Sequence, residues 1–333
     1  MITSRSRMKL IGLALLGVLC ISMSPIFVRF ADVPAAYAAF FRAIYALPIL
    51  MLQILWTALR SKSKWHLSGS FGLSSTSERD RFSWLIRIWF PDFRVVLIAV
   101  FSGMLLAGDL SFWHRSIGLI GAGLATLIGN SQVVFVSLFA ALFLREKVPL
   151  RVIPIIGLLF FGGWLALGRP QSSGGGASAH IAWMGFFFAI IAAIFYSFFL
   201  LSMRRIKVGE VIISASMLFW LSLGTAIGAL IAMIFDPDHL PIGFGKSHFY
   251  LVCVALCAQV LGWQILSYSL PRLRAYVSSA LLVTQPVMSM CWGWILCGEK
   301  LDGIQLLGFV IVLLSITLMM IPRTGRREIH SAG

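Results

Sequence analysis

Charge is scarce in this chain, and negative charge scarcer still. Charged residues make up 12%, only 12 residues are Asp or Glu, and hydrophobic residues make up 59%. Soluble domains carry about a quarter charged residues, so this sequence cannot cover a water-exposed surface. It reads as an integral membrane protein. Cysteine is sparse too. Cys20, Cys253, Cys257, Cys291 and Cys297 all fall in apolar runs without a pairing pattern or metal-ligand spacing, as expected of thiols that pack as small hydrophobes. The sequence carries no phosphate loop, metal cluster or nucleotide-hydrolysing domain, which excludes direct drive by ATP within this chain and leaves no cofactor to expect. The net charge of +15 comes from Lys and Arg at the ends of apolar segments. That is where membrane topology puts them, rather than in one groove, so no nucleic-acid partner is expected.

What the chain has in quantity is long apolar stretches. They fall near 10–28, 35–59, 93–113, 118–144, 150–168, 181–202, 211–235, 248–269, 275–298 and 303–321, each close to the length of a membrane-spanning helix. Arg5, Arg7 and Lys9 before the first run resemble the start of a signal peptide. The run continues to about Val28 without a small-residue cleavage site, and Leu19 before Cys20 does not suit lipoprotein processing, so it is retained as the first span. Pro25, Pro48, Pro154 and Pro286 lie within these stretches. In a bundle, neighbouring helices can satisfy the backbone groups that they free.

The stretch from Gly121 to Glu146 returns in the second half at an offset of 153 residues, where Gln285 matches Gln132, Ala275 matches Ala122, and Glu299-Lys300 matches Glu146-Lys147. An internal repeat of this kind predicts two homologous halves. With the amino terminus inside, the inside segments hold 20 Lys and Arg and the outside segments five, namely Arg29, Arg115, Arg169, Lys246 and Lys300. That bias places both termini in the cytoplasm. Five spans per half then give the halves opposite orientations, so the expected fold is all-α and integral to the membrane, with ten transmembrane helices as two inverted five-helix repeats. The boundaries are 1–168 for the first repeat, with a cytoplasmic insertion at 60–91, 169–180 for a flexible linker, 181–322 for the second repeat and 323–333 for a cytoplasmic tail. The insertion is basic and Ser-rich, and its amphipathic end carries Trp84 and Trp89, which suits anchoring in the cytoplasmic interface.

These features together resemble the drug/metabolite transporter superfamily, in its EamA-type branch of ten-span transporters. The resemblance rests on the paired Arg145-Glu146-Lys147 and Gly298-Glu299-Lys300, on Gly157 and Gly308 in the helices that follow, and on Arg42 in the second span. Thr284-Gln285-Pro286-Val287 resembles the family's Pro-containing stretch in the ninth span, whereas Val133 stands where the first half would carry Pro. The resemblance implies a fold similar to nucleotide-sugar and triose-phosphate translocators, and export of amino acids and other small metabolites.

Candidate site residues follow from polarity at membrane depth, where a polar group needs a partner or a task. Asp109 is the only acid well inside an apolar stretch, a few residues from the end of the third. It reads either as a proton-coupling group or as an ion-pair partner of Arg42 or Arg115. Gln132 and Gln285 occupy equivalent positions, and Ser278, Gln285, Trp292 and Glu299 recur every seven residues. Gln132, Gln285 and Ser278 are therefore candidates to line a cavity, or else to hold helices together. Asn130 points away from Gln132 on a continuous helix, so one of the two is interhelical glue. Trp113 and Trp263 are candidate aromatic walls, with Trp220, Tyr196 and Tyr268 weighed beside them. Arg42 would neutralise a carboxylate or phosphate, or join an internal ion pair. Glu146 and Glu299 are expected to hold the short connections at helix ends.

Three classes compete. The first is a secondary transporter in the inner or plasma membrane that exports small amphipathic metabolites, amino acids among them, by alternating access. Its partners would be a small-molecule substrate, the lipid bilayer, a proton gradient and a second copy of the chain as homodimer. The second is a flippase for lipids or lipid-linked metabolites. The third, an intramembrane enzyme, is remote. Leu106-Ala107-Gly108-Asp109 lacks the first Gly of an aspartyl-protease motif and has no second intramembrane Asp, and His114 is the lone candidate for a serine-protease pair.

Overall fold

Apolar runs of this length can satisfy their backbone polar groups in a bilayer by closing helical hydrogen bonds. The computed structural model describes residues 4–67, 93–144, 152–167, 179–203, 215–235, 245–273, 275–299 and 302–320, and every regular element among them is helical. In order these are α1 (Ser4–Ser22), α2 (Ser24–Ala31), α3 (Ala35–Leu67), α4 (Phe93–Ile120), α5 (Ala122–Gly129), α6 (Gln132–Leu144), α7 (Val152–Leu167), α8 (Ala179–Met203) and α9 (Ala215–Ile234). Next, α10 (Lys246–Val254) widens into a π-helical stretch at Ala255–Gly262 and continues as α11 (Trp263–Ser269), followed by α12 (Ala275–Cys297) and α13 (Gly303–Met320).

Seven segments are long and apolar enough to cross a membrane: Met8–Ala31, Ala35–Trp56, Phe93–Ile120, Ala122–Phe143, His180–Met203, Ala215–Ile234 and Lys246–Ser269. The chain is a multi-pass membrane protein. The other three expected stretches fall on shorter apolar helices, Val152–Ala166, Leu281–Cys297 and Gly303–Leu318. Residues 169–178 of the linker, Glu146, the tail and residues 68–91 of the expected insertion lie outside the described residues, while 179–180 open α8 and 60–67 continue α3.

Two boundaries differ from the sequence reading. The third stretch does not end at 113: α4 runs on to Ile120. His114 does not stop it, because the ring is buried and its Nδ1 hydrogen-bonds the carbonyl of Ala35 at 3.2 Å. Arg115 lies with its guanidinium 5.8 Å from the ring centre of Phe188. The fourth stretch is not one helix either, since Asn130 and Ser131 separate α5 from α6. Asn130 turns its amide back to donate to the carbonyl of Thr126 at 2.8 Å. The ninth stretch, which holds Pro286, is continuous as α12.

Packing interleaves the two halves. Helix α4 runs against α8 and α9, α9 against α3, α7 against α13 and α5 against α12, while α1 meets α11, α12 and the π stretch, and α2 meets α10. All of these contacts join a helix before residue 168 to one after it. The α4–α9 contact is close enough that a Cβ at Gly103 would lie 2.7 Å from the Thr225 nitrogen. Such backbone proximity is how helices associate in lipid, where no hydrophobic force acts between them.

Candidate functional site

The interior polar centre begins with Arg42, eight residues into α3 and only 4% exposed. Three elements converge on its guanidinium directly or through one partner. Its Nε donates to Oε1 of Gln259 at 3.1 Å, and Nη1 donates to Oγ of Ser24 at 3.4 Å. Gln259 in turn donates from Nε2 to Oγ of Ser222 at 3.1 Å. Ser24 opens α2, Ser222 lies on α9, and Gln259 sits in the π stretch. That wider turn is a rare form that recurs at functional sites. Ser24, Gln259 and Ser222 are all buried.

No described carboxylate lies within salt-bridge distance of Arg42. Asp109, half-buried on α4, is nevertheless near enough to interact with it electrostatically, and Tyr196 on α8 interacts with both. The interior thus holds a basic and an acidic side chain that interact without forming a salt bridge. His114 lies close enough to Arg42 to feel its charge, and its Nε2 is buried without a hydrogen-bond partner among the described residues. Asp109 is the seventeenth residue of a 28-residue helix, deeper than the sequence reading placed it.

Aromatic rings flank this centre. Trp113, Tyr196 and Trp263 all pack on one apolar cluster that includes Leu106, Leu110, Phe199 and Leu221. Trp263 meets Phe199 edge to face, with centroids 6.0 Å apart. It follows Gln259 by one helical turn, so the ring and the amide that holds Arg42 share a side of the Lys246–Ser269 segment.

The other sequence candidates lie differently. Gln132 and Gln285 are half-buried, and Gln132 opens α6 just after the helix break, where its carbonyl accepts from Ser197 Oγ at 3.1 Å. Ser278 donates to the carbonyl of Leu270 at 3.0 Å and so ties α12 to the turn before it. From Ser278 to Glu299 the chain advances 21 residues, about 30 Å along a helix. The four residues of that seven-residue recurrence therefore do not meet in one site. Tyr268 is exposed, and Arg272 lies over its ring at 4.1 Å.

Sequence reasoning missed Gln259, Ser222 and Ser24 as partners of Arg42. The available signal was an amide in an otherwise apolar run, one turn before a tryptophan. It also missed the partners of Glu299, which are Arg29 and the backbone N–H groups of Ala122 and Gly123.

A search of the curated proteins finds no match. A solved structure described only as a crystal structure of protein is similar over 94% of this chain and 96% of its own, with a TM-score of 0.53 and 15% identity, a likeness of fold alone. The sequence model of the EamA-like transporter family matches residues 183–321, and over this stretch the chain is similar to that family.

Proposed function

We propose that the chain is a secondary transporter that exports small amphipathic metabolites, amino acids among them, by alternating access about the Arg42–Asp109 centre. The observation that carries this reading is the pairing in the interior of a basic group, Arg42, with an ionisable acid, Asp109, near enough to interact but without a salt bridge. A charge at membrane depth is costly and needs a partner or a task. A guanidinium fixed by Gln259 and Ser24, a carboxylate on the facing helix and rings of Trp113, Tyr196 and Trp263 around them suit a solute with a charged end and an apolar body. Gln132 and Gln285 would add amide contacts nearer the helix break.

The packing supports ten spans in two inverted repeats. Exchange of the halves turns the first–eighth contact (α1 with α11) into the sixth–third contact (α8 with α4), and both are present. The second–seventh, fourth–ninth and fifth–tenth contacts map onto themselves, and these too are present as α3–α9, α5–α12 and α7–α13. Together with the Lys and Arg bias, this favours cytoplasmic termini in an inner or plasma membrane. Asp109 is the group proposed to couple transport to a proton gradient, and a homodimer is the proposed assembly.

The test is uptake of radiolabelled amino acids and nucleotide derivatives into proteoliposomes, with and without a pH gradient, for wild type and Asp109→Asn. Saturable uptake that loses its pH-gradient dependence in the variant is the expected result. Absence of solute uptake with rapid flipping of a lipid analogue in the same vesicles would move the chain to the flippase class.

A further inference from the structure

Among the described residues, Glu299 is the one carboxylate that joins three helix ends. It sits directly after α12, where Gly298 takes a positive φ of 67° and the Glu299 N–H closes on the Gly293 carbonyl at 3.0 Å. This C-terminal turn aims the side chain across the interface between the halves. There, Oε1 accepts from the Ala122 N–H at 2.8 Å and Oε2 from the Gly123 N–H at 3.3 Å. Those are the first two N–H groups of α5, which a helix cannot satisfy from within and whose dipole end favours an anion. Arg29, in the last turn of α2, pairs with the same carboxylate.

The surroundings are cut to fit. Gly121, just before α5, has a φ of 84°, and a Cβ there would come within 2.9 Å of the Glu299 carboxyl carbon. A Cβ at Gly293 would overlap Oε2. Beneath the carboxylate lies an apolar cluster with Ile26, Ala38, Ile117, Ala122 and Leu251, against which Trp292 and Cys297 pack. Residues from before and after residue 168 form this plug.

We infer that Glu299, Arg29 and the amino end of α5 form a latch that closes one face of the molecule and must open for solute to pass. The latch joins the second half to the first through one side chain, so separation of the halves on this face breaks three charge-assisted bonds together. With cytoplasmic termini it lies on the outer face. That it gates a solute path rests on the transporter reading; that it clamps the halves does not.

Two measurements on the full chain in proteoliposomes test it. The first is hydrogen exchange at the amides of residues 121–125. The second is labelling by a membrane-impermeant maleimide of Ala38→Cys, buried in the plug, in a background without the five native cysteines. In Glu299→Gln we expect both rates to rise tenfold or more, while exchange in α7 and α13 stays unchanged. In Glu299→Asp, one methylene short of α5, a smaller rise of the same kind is expected. Arg29→Gln, which keeps the carboxylate on the helix end, should raise both about threefold and serves if Glu299→Gln does not fold. Either rate unchanged in a monodisperse variant overturns the latch. Neither readout needs transport, so faster labelling in a protein that moves no solute would leave the latch standing and remove the transporter reading.

Discussion

Arg42 and Gln259 lie 217 residues apart in sequence and are joined by a hydrogen bond of 3.1 Å in the interior. The bond ties α3 to the π-helical stretch at Ala255–Gly262, and through Ser222 to α9. Gln259→Leu removes an acceptor from a buried guanidinium, and a hydrogen bond to a charged group contributes about 2 kcal/mol. A lower unfolding midpoint in detergent is expected. Gln259→Glu is the informative partner: it supplies a carboxylate to Arg42, so stability should hold while uptake falls at least tenfold, because the guanidinium is no longer open to a substrate anion.

Arg42 and Asp109 should show energetic coupling without contact. Unit charges 4 Å apart at an effective dielectric of about 20 interact by about 4 kcal/mol, and this pair is farther apart than salt-bridge distance. A double-mutant cycle of Arg42→Gln and Asp109→Asn, read by reversible unfolding, should return a coupling of about 1–2 kcal/mol. The double variant should be more stable than the sum of the single losses implies. A coupling indistinguishable from zero would make them independent groups.

The helix positions were legible in the sequence because apolar length decides them: seven of the ten stretches fall on segments long and apolar enough to cross a membrane, and the other three on shorter apolar helices. The limits of α4 were not, since His114 and Arg115 look like a helix end until Ala35 and Phe188 are known to receive them. The break at Asn130 was hidden for a similar reason. Proline marks a break in sequence, yet here the helix with Pro286 is continuous and the one with Val133 is interrupted. Single candidates such as Arg42 and Asp109 could be picked from polarity at depth. Their relation could not, because it depends on how the halves interleave and on a π-helical stretch that no local pattern announces.

Gly103 and Gly224 set the distance between α4 and α9. A Cβ at Gly224 would lie 2.7 Å from the Val100 carbonyl carbon, and one at Gly103 3.0 Å from the Gly224 carbonyl carbon. Backbone, not a flexible side chain, is in the way, so Gly103→Ala or Gly224→Ala must push the helices apart. Overpacking of this kind costs about 1–3 kcal/mol. The unfolding midpoint should drop in both variants, and Asp109, which rides on α4, should shift relative to Arg42. Uptake would then fall along with stability.

Trp263 allows substrate shape to be tested apart from charge. Its ring is half-buried, meets Phe199 edge to face and lies one turn from the amide that holds Arg42. Trp263→Phe keeps an aromatic face but vacates part of the indole volume, whereas Trp263→Ala removes the face entirely. If the ring walls the solute's apolar body, Trp263→Phe should favour bulkier aromatic solutes over small aliphatic ones in competition uptake. Trp263→Ala should weaken binding of aromatic solutes by about 1–2 kcal/mol, near the contribution of an aromatic contact beyond its buried area. If Trp263 only packs the bundle, both variants would lower the unfolding midpoint and leave the ranking of competing solutes unchanged.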